Sequence, residues 1–391
     1  MYLEKLRLNI PKYYIQKMFT KRVYLPLVAI YSVGIAGVSL QGLGFIASIT
    51  AVTSLLLEIP SGYISDKFGH KKSLVFGSIV VAISPLFYVM MPNFLGALLG
   101  MAVFFGGYAF HSGTMSAFLH ETLTELGRED ELAKVMTRAQ TYGLLANVVL
   151  ISLVPLTYSV DPRLPFLIGA FFLFINVLVV LSFTSPKPRD SVQTQEALSF
   201  RRLLKSLRSS NKFVLFLLLG LLTAVRNKMP EFREIHYQEL GIPVESYGFL
   251  LAIGSLAAAA FSFYAYRLER LGPKKFYALD AVIVLLSLIA LGTFRTPVAA
   301  IAIFALFVAY ARSRTPVLHT MLLKESPTQD MKATYISLME FFGALNGIWV
   351  PLALGYLMGV FGTGAAYLYF GLFLLVPVTV LFMLYLRRTE T

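Results

Sequence analysis

Gly62-Tyr63-Ile64-Ser65-Asp66-Lys67-Phe68-Gly69-His70-Lys71-Lys72 is a charged, glycine-containing turn set between two long apolar runs, at about 41–65 and 73–91. A second turn, Glu269-Arg270-Leu271-Gly272-Pro273-Lys274-Lys275, repeats its order of acid, base, glycine and paired lysine at an offset of 203 residues. A weaker match sets Ala139-Gln140-Thr141-Tyr142-Gly143 against Met339-Glu340-Phe341-Phe342-Gly343 at an offset of 200. Two matches at nearly one offset predict a chain built from two halves of common ancestry.

The apolar runs flanking these turns identify the medium. The chain of 391 residues is 57% hydrophobic and 14% charged, whereas soluble domains carry about a quarter charged residues. Runs recur at about 12–36, 41–65, 73–91, 94–122, 132–158 and 163–184, then at 212–240, 245–270, 275–293, 297–323, 331–358 and 363–386. A bilayer core of about 30 Å takes roughly 20 apolar residues per helix, so the expected fold is an all-α membrane protein of twelve spans. Residues 1–185 would form the first six-helix bundle, 186–211 a polar cytoplasmic linker and 212–391 the second bundle. Within the linker, Phe200–Leu207 has the pattern of an amphipathic helix lying on the membrane surface. Met1–Arg22 is basic but offers no small-residue cleavage site, so no removable signal peptide is expected. With no cysteine there is neither a disulfide nor a thiolate metal site.

A formal charge of +13 would suggest nucleic acid in a soluble protein. Here the positions of the charges explain it. With the N-terminus inside, 27 of the 34 Lys and Arg fall on inner segments and only Arg163 and Arg295 on outer loops. The positive-inside rule then places both termini in the cytoplasm, and anionic lipid accounts for the basic excess without nucleic acid. The expected setting is a bacterial inner membrane, with the protein a monomer among membrane lipids.

The turn at Gly62–Lys72 resembles the loop signature of the major facilitator superfamily. Glu58-Ile59-Pro60 before it, and Ser112-Gly113 with Leu126-Gly127-Arg128-Glu129-Asp130-Glu131 after it, resemble the bacterial members. The resemblance implies two pseudo-symmetric six-helix bundles that rock about a midplane site, with segments 1, 4, 7 and 10 lining a central cavity. It also implies that the loop acts as an inner-face gate of Glu58, Gly62, Asp66, Lys67, Gly69, Lys71 and Lys72. The physics of the loop agrees. Gly62 would let two helices approach closely, Gly69 would permit a tight turn, and Asp66 could accept hydrogen bonds from the positive end of a neighbouring helix. The lysines would hold the loop on the cytoplasmic side. Segment 4 lacks the arginine, and segment 5 the glycine-proline pattern, that drug-proton antiporters of the superfamily usually carry.

Ionisable groups inside spans are costly, so each is a functional candidate. Segment 7 carries Arg226, Lys228, Glu231, Arg233, Glu234 and His236 around Pro230, and a continuous helix would put Arg226 and Arg233 on one face. Segment 10 offers Arg312, Arg314 and His319, and segment 11 offers Glu340. The expected substrate-binding set is Tyr31, Tyr108, His111, Arg226, Arg233, Arg312, Arg314, His319 and Asn346, with Glu340, His111 and Glu231 as proton carriers. Arginine forks suit an anionic or zwitterionic head group. The plainer reading makes these charges structural: Glu340 neutralising Arg312 or Arg314, and Glu231 and Glu234 neutralising Lys228 and Arg233.

The histidines lack metal-ligand spacing, and there is neither a phosphate loop nor a Gly-x-Ser-x-Gly turn. No enzyme, metal or cofactor is expected. The reading is a secondary transporter that moves a small organic or amphipathic, anionic solute by proton-coupled alternating access, export favoured over uptake. A lipid or lysolipid flippase and a non-transporting sensor on the same fold are the alternatives.

Overall fold

The structure, a computed structural model, describes residues 2–111, 113–187, 213–324 and 332–390. Among them there are helices and turns but no strand. The helices are α1 (Tyr2–Arg7), α2 (Asn9–Phe19), α3 (Val28–Gly34), α4 (Leu40–Phe68), α5 (His70–Met90), α6 (Phe94–Ala109), α7 (Thr114–Glu125), α8 (Leu132–Leu153) and α9 (Leu164–Leu181). The second half holds α10 (Phe213–Lys228), α11 (Arg233–Glu239), α12 (Tyr247–Ala265), α13 (Gly272–Thr293), α14 (Pro297–Lys324), α15 (Lys332–Phe361) and α16 (Thr363–Glu390). The expected linker and its surface helix at Phe200–Leu207 lie outside the described residues.

Ten stretches among the described residues are long and apolar enough to cross a bilayer, two fewer than the expected twelve. The difference has a local cause at each place. The first segment is broken between α2 and α3, leaving only Leu25–Gly34 as a short apolar piece, and Val244–Thr293 runs as one stretch through a tight turn at Gly272. That turn and the one at Gly69 are the two glycines of the repeated loop, and both take left-handed φ angles, 70° and 94°. A side chain there would strain the backbone, so the repeat in sequence is a repeat in geometry.

Helix pairing repeats as well. In the first half α2 packs on α8 and α5 on both α6 and α9. In the second, α10 packs on α15, and α13 on both α14 and α16. Numbered by segment, the first joins the fifth, and the third joins the fourth and sixth, in each half.

The chain divides into two compact units, Met1–Val38 with Ile49–Ser191 and Val244–Ala252, and Ser39–Ser48 with Val192–Pro243 and Ile253–Thr391. Each unit therefore includes the first turns of a helix from the other half of the sequence. In the second unit the start of α4 lies against α15: a Cβ at Gly44 would collide with the Pro351 carbonyl oxygen, and Ser48 Oγ donates to the Ile348 carbonyl at 2.6 Å. In the first unit the start of α12 meets α8, where a Cβ at Gly248 would collide with the Ile151 carbonyl oxygen. Gly62, expected to permit a close approach, does not do so here. A Cβ at that position would meet nothing within 4 Å.

Candidate functional site

The second unit buries a cluster of charges. Arg314 on α14 and Asp280 on α13 are both 0% exposed, and Arg314 Nη2 donates to Asp280 Oδ2 at 2.6 Å. Tyr310, one turn before Arg314, donates its hydroxyl to Asp280 Oδ1 at 3.0 Å. Arg226, the third-last residue of α10, is 7% exposed and lies within electrostatic reach of Arg314, Asp280, Tyr310 and Glu340. Among the described residues Arg226 Nη1, Arg314 Nε and Arg314 Nη1 are buried without a hydrogen-bond partner. Of the two guanidinium groups only Arg314 bonds to the Asp280 carboxylate, and donors outnumber acceptors. A buried donor left unpaired costs about 1–3 kcal/mol, a penalty that an anion entering the cluster would relieve.

The remaining charges of segment 7 are paired locally. After Lys228 the chain tightens into a 3₁₀ turn, Met229–Phe232, because Pro230 cannot continue the hydrogen-bond ladder. The turn defeats the helical-wheel expectation: Arg226 joins the Asp280 cluster, whereas Arg233 pairs with its neighbour Glu234. Lys228 and Glu231 pair at 2.8 Å, as the plainer reading had it. Arg312 donates to Ser255 Oγ at 3.0 Å. His319 Nε2 stands 3.9 Å from Glu340 Oε1, so Glu340 faces a histidine rather than pairing with Arg312 or Arg314. Asn346 donates to the Phe342 carbonyl and accepts from Trp349 Nε1 at 2.8 Å.

The first unit places polar groups differently. His111, at the break between α6 and α7, sits 3.2 Å from Ser78 Oγ, and the hydrogen bonds continue through Asn176 to Thr20 and Gln16. Every member of that chain is uncharged or, for His111, able to be neutral. Tyr31 is fully buried, its hydroxyl donating to the Tyr88 carbonyl, so it packs inside this unit and does not front a crevice. Tyr108 is 45% exposed.

In the loop that opened the sequence argument, Gly69 makes the tight turn and Lys71 and Lys72 lie in the first turn of α5. Lys67 lies over the rings of Tyr63 and Phe68. Glu58 and Asp66 are exposed, and Asp66 makes no hydrogen bond or ion pair among the described residues, so the expected helix-end contact is not formed. His70 does tie the loop down: Nδ1 meets Ser65 Oγ at 2.7 Å and Nε2 meets Glu121 on α7 at 3.2 Å.

Two residues escaped the sequence reading. Asp280 is a lone acid in an otherwise apolar run, and that isolation was the available signal. Arg22 was counted as part of a basic cytoplasmic leader, but it lies inside the first helical segment, at the break between α2 and α3. Arg22 and Pro26 have the same spacing as Arg226 and Pro230, at an offset of 204 residues, and each pair marks a helix break in its own half.

The Major Facilitator Superfamily profile matches residues 15–227 and 229–391. The chain belongs to that superfamily and is a multi-pass membrane transporter of its type. It is 22% identical over 348 residues to YxaM of Bacillus subtilis (strain 168), an uncharacterised MFS-type transporter, covering 86% of this chain and 85% of that one. It is 28% identical over 120 residues to the inner membrane transport protein YajR of Escherichia coli (strain K12), covering 31% of this chain and 25% of that one. The fold is shared with the nucleoside transporter NupG, with a TM-score of 0.82 at 13% identity over 98% of this chain and 99% of that one. It is also shared with a bacterial homologue of the human lysosomal transporter Spinster, with a TM-score of 0.70 at 13% identity over 100% and 97%.

Proposed function

We propose that the protein carries a small organic anion across a bacterial inner membrane by alternating access, with both termini in the cytoplasm. The observation that supports the anion is Arg226: a residue 7% exposed whose Nη1 edge has no hydrogen-bond partner among the described residues, beside a second arginine whose carboxylate is already committed. A carboxylate or phosphate accepts two parallel N–H bonds from such an edge, and charge-assisted bonds of this kind are about twice as strong as neutral ones. Asp280 holds Arg314 in place, while Arg226 hydrogen-bonds to neither Asp280 nor Glu340 among the described residues and so keeps a donor for one anionic group. Glu340 and His319, 3.9 Å apart and half to one-third exposed, are the pair that would trade a proton as the cargo enters or leaves.

The test is a thermal-stability screen of the purified full chain against carboxylates, phosphate monoesters and uncharged analogues of each. Anions should raise the unfolding midpoint saturably, and Arg226→Gln should weaken that response about 10- to 100-fold, the worth of one hydrogen bond to a charged group. Uncharged analogues acting as well as the anions would overturn the reading. In proteoliposomes loaded with a stabilising anion, flux should respond to an imposed pH gradient. Flux indifferent to the gradient would remove the proton from the mechanism and leave the anion.

A further inference from the structure

His236 on α11 belongs to neither the arginine cluster nor the His319–Glu340 pair, yet it is only 1% exposed. Its Nδ1 stands 2.6 Å from the hydroxyl of Thr363 at the start of α16. That hydroxyl donates to Glu239 Oε2, and the Thr363 amide donates to the same oxygen at 2.9 Å. A threonine has one hydroxyl proton to give. Since Glu239 receives it, the contact with His236 requires Nδ1–H as the donor, and a neutral ring then leaves Nε2 bare. Nε2 is buried and has no hydrogen-bond partner among the described residues. Against the ring stand Tyr367 of α16, perpendicular to it with centroids 5.4 Å apart, and Phe304 of α14 at 6.3 Å. A structural tie needs only Nδ1. A basic nitrogen left bare beside two aromatic rings adds nothing to the packing, and it is the atom on which a neutral imidazole takes a proton. The backbone fits the arrangement too: Gly362, just before Thr363, has a φ of 80°, and a Cβ there would stand 3.2 Å from Glu239 Oε1. Glu239 is exposed. One hydrogen-bonded line therefore joins a surface carboxylate, through a buried hydroxyl, to a buried basic ring.

We propose that His236, Thr363 and Glu239 form a proton-binding site and relay at the outer end of the second unit. It rests on the reading of the chain as a proton-coupled carrier with both termini in the cytoplasm, which puts the far end of segment 7 outside. A proton given to Nε2 by a hydronium ion within the carrier makes the ring an imidazolium. Its Nδ1 proton then passes to Thr363 Oγ1 as the threonine's own proton passes to Glu239 Oε2. The products are a neutral ring protonated on Nε2, an unchanged threonine and a carboxylic acid, which gives its proton to water outside. Uptake runs the same steps backwards. Glu239 and Arg295, the latter in the turn between α13 and α14, lie within electrostatic reach of the ring. Tyr367 is the titratable group of α16 against it, Phe304 of α14 carries no charge, and on its own helix Arg233 and Glu234 pair with each other. Glu340 lies about 32 Å back along α15 from Phe361, so the two proton sites stand at opposite ends of the unit.

The probe is the proton itself, followed by NMR of isotope-labelled histidine rings in the purified full chain and by exchange into heavy water. The chain has five histidines. His236 is the resonance missing from His236→Gln or, should that variant not fold, the one that survives replacement of His70, His111, His120 and His319. The ring should carry its proton on Nδ1 with Nε2 bare, and acidification should add a second proton to Nε2. Glu239→Gln keeps a carbonyl oxygen that accepts both Thr363 bonds but cannot take up a proton. It should therefore slow exchange at Nδ1 about 100-fold, the scale on which a positioned acid or base speeds proton transfer, whereas a merely structural carboxylate would leave the rate unmoved. Thr363→Val should slow exchange as much and release the tautomer. A ring protonated on Nε2 alone, an Nε2 still bare at the lowest pH the fold survives, or unchanged exchange in Glu239→Gln overturns the proposal and leaves the anion reading standing. Sidedness is read separately. The chain has no cysteine, so Gln238→Cys, exposed and next to Glu239, reports a single position. Labelling of intact cells by a membrane-impermeant maleimide supports an outer relay, and labelling only after permeabilisation overturns the topology and the outer placement with it.

Discussion

The first helical segment of each half breaks at a proline that follows an arginine by four residues, yet the two arginines meet different neighbours. Arg22 rests on phenyl rings beside an uncharged hydrogen-bond chain, Thr20–Asn176–Ser78–His111. Arg226 enters a cluster of buried charge with Asp280 and Arg314. Duplicated halves keep their breaks because the breaks are set by local backbone chemistry. Polar content can diverge once the frame is fixed. One half buries a chain of neutral groups and the other a cluster of ions.

The contrast can be broken by mutation. The largest effect should come from Asp280→Asn, which leaves the fully buried Arg314 guanidinium without its anion. Loss of one partner from a buried pair costs about 3–5 kcal/mol, read as a fall in the unfolding midpoint. Adding Arg314→Gln to Asp280→Asn should restore a good part of it, because the pair is removed together. Next come Gly44→Leu and Gly248→Leu, each driving a side chain into a carbonyl of α15 or α8, with an expected loss of about 1–3 kcal/mol from overpacking. Ser78→Ala should cost about 1 kcal/mol, the worth of a neutral hydrogen bond. If Ser78→Ala proves as damaging as Asp280→Asn, the distinction between a neutral and an ionic half fails. The smallest effect belongs to Gly62→Ala: the new methyl meets open space within a helix, and lost backbone freedom in the unfolded chain should leave stability unchanged or raised by up to about 1 kcal/mol.

The sequence disclosed whatever depends on neighbouring residues. Hydropathy placed the long helices to within a few residues, and the repeated loop foretold two glycine turns whose φ angles agree. It failed where structure depends on distance or on a break. The 3₁₀ turn at Pro230 shifts the helical phase, so Arg226 and Arg233 cannot be set on one face by counting. Asp280 and Arg314 lie 34 residues apart on different helices, and nothing local joins them. Glu340 was matched to arginines by sign alone, and geometry gave it His319. Arg22 was misread because a basic leader and a basic break look alike until the second half supplies the comparison.

Trp349 gives the second unit a built-in optical reporter. It is the single tryptophan of the chain, its indole N–H is held by Asn346, and it lies 6.0 Å from Phe370. The next residue toward the N-terminus, Ile348, is the one whose carbonyl receives Ser48 from the start of α4. Any parting of α4 from α15 would change the hydration of this indole and shift the colour of its emission. The wild-type chain can therefore be watched as it works, with no dye and no engineered label.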